Sequence, residues 1–300
     1  MKESSHLVFI TNLKKGLDMS HDDFESRIKA VYVARDNWIS LIESRLKDLT
    51  GLRLAKKNKY QYLYDDNIDE TPIKRSGKET IVVFPTDLIG NDLRTDDQFQ
   101  VWTFILGRIG TGNVFEKGIK FGNKELSDKA QAQLEAIQKE VLRFDDGDFG
   151  ISDILGVFSD YEHTIKLFAQ VIAYHSILLK VEAEDLAFVV LAHELAHAYT
   201  IAGYDINGYR GEILQNYHSR KRNVVEGLAQ YYAEAVCSQL REKYPQFQQA
   251  FEALLKNQTH PYTWHKDWLK RRGVDHEYIR STLLDYRRFI NSEAFERAVL

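Results

Sequence analysis

His193, Glu194 and His197 lie within VVLAHELAHAYT, residues 189–200, a stretch that is otherwise almost wholly apolar. Three ionisable groups in such a setting are costly unless something satisfies them. On an α-helix, residues i and i+4 lie about 40° apart on one face, one turn on. Both imidazoles can therefore aim at one ion. Glu194 sits about 100° around the helix from His193, so it flanks such an ion instead of ligating it. A carboxylate there can take a proton from water at the metal. The arrangement is HExxH, and its metal is most often zinc.

A catalytic zinc needs a third protein ligand and an open position. The next helical stretch, NVVEGLAQYYAEAV, carries Glu226 near its start, with Gly227, Ala229 and Ala233 after it. The first stretch offers Ala192, Ala196 and Ala198. Small facing residues allow two helices joined by a polar loop, residues 203–222, to pack antiparallel, which would bring Glu226 to the histidines. Asp205, Glu212 and His218, on or beside that loop, are the competing ligands.

HELAH followed by EGLAQYY resembles the gluzincin, thermolysin-like branch of the zinc metallopeptidases, over roughly residues 150–240. The resemblance implies zinc ligands His193, His197 and Glu226, one zinc per chain, and Glu194 as general base. It also implies a strand at the cleft edge ahead of the active-site helix, pairing with extended substrate. HTIKLFAQV, residues 163–171, stands where that strand is expected. The family usually places an aspartate four residues after the glutamate ligand, to orient a histidine. Gln230 stands there instead, and its amide oxygen can still accept an imidazole N–H, without the charge. Thr200 and Gly203 occupy the places where a metzincin needs glycine and histidine, which excludes that branch. The family also holds the developing oxyanion with a tyrosine or histidine. Tyr209, His218 and His265 are the candidates here, with His260 and His276 behind them.

These residues must be held by ordinary elements. A helix is predicted from about Ser20 to Gly51, and a short strand in IVVFP, residues 81–85. An amphipathic helix follows Ser127. Strands are expected near 155–158 and 162–169, a helix over 182–202 stopped by Gly203, another over 223–242, and three or four more to Leu300. DDGDFG, residues 145–150, divides the chain into an N-terminal α+β region of unassigned role, 1–150, and a catalytic domain, 151–300. The fold class is α+β and mostly helical: a zincin-like domain with a short sheet and an active-site helix pair. HSRKRN, 218–223, reads as a solvated loop, or as an arginine grip on a substrate carboxylate.

The bulk properties leave room for this reading. The chain has 300 residues, 44% of them apolar, enough for a sizeable core, and a net charge of −4, which gives no basic face for nucleic acid. The single cysteine, Cys237, excludes an internal disulfide and fits a reducing compartment. No stretch is apolar for long enough to suggest a signal peptide or a membrane span, so a cytoplasmic location is expected. The activity expected is peptide-bond hydrolysis by metal-activated water, acting on a peptide or protein. Two alternatives stand beside it: a catalytically inactive zincin-like binding module, and a zinc hydrolase of a non-peptide amide.

Overall fold

The computed structural model describes residues 21–54, 81–82, 155–159, 164–205, 222–258, 260–289 and 292–299. This part is mostly helical, with one small sheet. Helix α1, His21–Thr50, begins and ends where its sequence signals place it. Gly51 takes φ 70°, the left-handed conformation that ends helices, and its N–H returns to the Lys47 carbonyl at 2.9 Å. The amphipathic helix expected after Ser127 lies outside the described residues.

The sheet contains β1, Ile81–Val82, β2, Gly156–Ser159, and β3, Thr164–Phe168, in the order β1-β3-β2. β3 runs parallel to β1 and antiparallel to β2. The three strands fall within the predicted segments, but one expectation is corrected. β3 was to be the strand at the cleft edge, and it is the central one. Its second partner, β1, comes from far upstream, and no local pattern announces that pairing. Among the described residues, β1 and β2 are the two edge strands.

Helix α2, Ala169–Leu179, follows β3 directly. No helical periodicity marks this stretch, because Val171 to Ser176 are all buried. A helix covered on every side shows no polar stripe. His175 lies within that run, 4% exposed, with its Nε2 unpartnered among the described residues. Burial pulls its pKa down from 6.5 to about 4. The unfolded chain therefore takes up a proton below pH 6.5, while the folded chain resists until about pH 4. Stability should be unaffected by this group above pH 6.5 and erode as pH falls towards 4, by about 3 kcal/mol in full. Urea midpoints measured from pH 7 to 4 should fall less steeply in His175→Leu than in the wild type.

Helix α3, Ala183–His197, carries the HELAH residues and continues as one π-helical turn, Ala198–Ala202. It is buried almost throughout because it is the central rod of the fold. α1 packs along it: Trp38 meets Phe188 edge-on at 6.0 Å and donates from Nε1 to Glu184 Oε1 at 2.8 Å. Arg27 donates to Ser176 Oγ at 2.9 Å and to the Val181 carbonyl at 3.1 Å. Val31, Ala34, Ile42 and Leu46 of α1 belong to the same hydrophobic core as α3, which lies on the other side of the expected division at residue 150. A turn-rich sequence between two elements says nothing about whether their apolar faces meet.

Five further helices follow α4, Arg222–Leu240: α5, Pro245–Leu255; α6, His260–Thr263; α7, His265–Trp268; α8, His276–Phe289; and α9, Ser292–Val299. Phe247 of α5 stacks on Phe188 with centroids 3.8 Å apart. α8 fastens both ends of the assembly. His276 donates from Nε2 to the Leu49 carbonyl, 3.1 Å, and accepts at Nδ1 from the Tyr231 hydroxyl, 2.9 Å. Arg287, 2% exposed, donates to the carbonyls of Tyr199 and Gly203, at the end of the π-helical turn. The Tyr199 carbonyl also accepts from the Gly203 N–H at 3.1 Å, and the buried guanidinium bonds both carbonyls at once. No helix among the described residues is long and apolar enough to cross a membrane.

Candidate metal centre

α3 and α4 bring His193, His197 and Glu226 together. The two Nε2 atoms are 3.0 Å apart, and Glu226 Oε2 lies 3.2 Å from His193 Nε2 and 3.3 Å from His197 Nε2. The rings stand edge to face, with centroids 4.6 Å apart. Side-chain exposures are 12%, 8% and 16% in the same order of residues. Two nitrogens and one carboxylate oxygen thus form a nearly equilateral triangle. Tetrahedral zinc with bonds near 2.0–2.1 Å has ligand atoms about 3.3 Å apart, so the triangle has the size of one face of that tetrahedron. The donor set and the spacing fit a divalent metal ion, which these three residues could hold.

The electrostatics agree. Burial alone would raise the Glu226 pKa, but the charge of His197 and the hydrogen bonds from both histidines outweigh it and hold the carboxyl well below the usual range. It stays an anion inside the protein, the state a metal ligand needs.

Glu194 is 5% exposed, and strand β2 lies directly against it. A Cβ on Gly156 would fall 2.9 Å from Glu194 Cγ and 3.0 Å from its Oε1. Sequence reading missed Gly156. A glycine in a short strand is the one signal that could have marked it, since it often means a close approach.

Gln230 is buried one turn beyond Glu226, but it does not orient a histidine. Its Nε2 donates to Gln258 Oε1 at 2.8 Å, and the Nδ1 atoms of His193 and His197 have no partner among the described residues. A competing amide across from α4 has taken Gln230. One further turn on, Glu234 receives His265 Nε2 at 3.0 Å and Lys266 Nζ. His265 is fully buried and donates from Nδ1 to the Tyr262 carbonyl at 2.9 Å. With both nitrogens engaged, it braces the α6–α7 turn. The turn presents Tyr262, whose ring lies 5.8 Å from that of His193. Tyr209 and His218 lie outside the described residues, as does Glu212. Asp205 is described, and it is not among the three clustered ligands.

Gly227 also has an unforeseen neighbour. It was expected to ease the approach of α3, but a Cβ there would meet the Trp268 ring at 2.7 and 2.8 Å. The glycine admits a fully buried tryptophan beside Glu226. Gly227→Ala should cost about 1–3 kcal/mol through overpacking and weaken metal binding. Urea unfolding and a zinc titration against a competing chelator would measure the two effects.

The chain matches no family model, no curated protein and no solved structure. The functional reading therefore stands on geometry and sequence motif.

Proposed function

We propose that the chain is a zinc-dependent peptidase of gluzincin type. The observation that carries this reading is the triangle of His193, His197 and Glu226 at metal-ligand spacing, with the Glu194 carboxylate on the same helix. Zinc, when bound, supplies Lewis acidity: it polarises the scissile carbonyl and lowers the pKa of water. Glu194 then acts as general base, taking the proton of the attacking water and passing it to the leaving amine. The α3–α4 pair set against a small sheet supports a zincin-like architecture.

The sheet supports a peptide substrate. Phe168 N–H donates to the Leu155 carbonyl at 3.0 Å, so the next pair along, Gly156 and Leu167, is the non-bonded kind. The N–H and C=O of Gly156 consequently point away from β3, towards the free edge. An extended peptide could pair there, gaining main-chain hydrogen bonds that tolerate many sequences. The single cysteine, buried in α4, fits work in a reducing cytoplasm.

The unsupported Nδ1 atoms favour one second reading, a binding module holding its metal loosely. A peptide library incubated with zinc-loaded wild type and with Glu194→Gln separates the two. Cleavage by the wild type alone supports the peptidase. No cleavage by a fully zinc-loaded wild type leaves the binding module.

A further inference from the structure

We propose that Gly156 is a positioning residue for Glu194, its missing side chain setting where the carboxylate stands. The inference rests on the peptidase reading above. Gly156 opens β2, an edge strand of the sheet, and its Cα hydrogen faces α3. The space a methyl group would need is already filled: Glu194 Cγ and Val190 Cγ1 both lie 2.9 Å from the built Cβ position, and Glu194 Oε1 lies 3.0 Å away. Contacts under 3.0 Å force something to move. Val190 and Glu194 are successive turns of one helix face, so strand and helix touch along a line. That line is anchored on both sides. β2 is paired to β3 through all four of its residues, and α3 is 0–4% exposed from Phe188 to Ala192. Neither backbone can easily retreat, whereas the glutamate side chain can rotate. An added methyl group should therefore displace the carboxylate and leave the metal ligands in place.

The geometry has a second consequence. The backbone groups of Gly156 that point to the free edge belong to the same residue that touches the base. A peptide paired to that edge and the carboxylate serving it are thus registered by one glycine. A displacement of about 1 Å at a catalytic group can cost about 100-fold in rate.

The test is a double-mutant cycle on the full chain loaded with cobalt(II), comparing wild type, Gly156→Ala, Glu194→Ala and the pair together. Cobalt content, the visible ligand-field spectrum and peptide turnover are read for each. All four should hold one cobalt per chain. Gly156→Ala should alter the spectrum and lower kcat about tenfold or more, with KM little changed. In the Glu194→Ala background, where the clashing carboxylate atoms are gone and only the Val190 contact remains, the added methyl should leave the spectrum unchanged. An equal change in both backgrounds, or a silent Gly156→Ala, overturns the proposal. If Gly156→Ala fails to fold, Gly156→Ala with Val190→Ala removes the second contact and should restore folding with the same spectral change. Failure of that variant too means the glycine serves strand packing, and the proposal falls. A wild type that binds cobalt but cleaves no peptide refutes the peptidase reading, while the spectra still decide the glycine.

Discussion

Glu194→Gln is expected to bind zinc as the wild type does and to lose turnover by about 100- to 10,000-fold, the usual contribution of a general base. The substitution keeps the shape of the side chain, which matters because Gly156 lies close against it. It removes only the ability to accept a proton. His193, His197 and Glu226 are untouched, so metal content measured by mass spectrometry should remain one zinc per chain. Turnover should fall through kcat with little change in KM, because the carboxylate acts on water in the transition state and not on substrate binding. A Glu194→Gln protein as active as the wild type would remove Glu194 from the chemistry.

Removing the metal should lower thermal stability substantially. The triangle is formed by two side chains of α3 and one of α4, so an ion held there crosslinks the central rod to its neighbour. A ligand at about 1,000 times its dissociation constant adds about 4 kcal/mol to the folded state. For a chain of this size that corresponds to roughly 8–16 °C in Tm. The drop should appear on chelation and reverse with added zinc. Glu226→Ala should melt near the chelated wild type and respond to neither zinc nor chelator. Scanning fluorimetry with parallel metal analysis would measure both. A wild type whose Tm and metal content ignore zinc and chelator alike would remove the metal centre.

What could be read from the sequence divides by distance along the chain. HELAH is legible because a spacing of four on a helix fixes a common face, whatever surrounds it. Glu226 is legible because few ligands of the right type follow in a helical stretch, and the structure brings it to the histidines. Gln230 shows the limit. Its position was inferred correctly, but the side chain had a choice of partners, and Gln258, beyond the next helix, took it. Gly227 met Trp268 and not α3 for the same reason. α2 escaped notice because complete burial erases the periodicity by which helices are found. The pairing of β1 with β3, which put β3 inside the sheet, joins segments too far apart for local pattern to connect.

α8 has a further consequence, for the order in which the molecule comes together. His276 and Arg280 bond the carbonyls of Leu49 and Thr50, across sequence separations of 227 and 230 residues. Arg287 closes the turn that follows His197. Contacts of such span form late, because chain-closure entropy must be overcome before they give anything back. A chain emerging from the ribosome would have made α3 and both histidines well before α8 arrived to fix them. Folding should therefore be slow and end at the C-terminal helices, with α3 and α4 already made when α8 arrives to fix them.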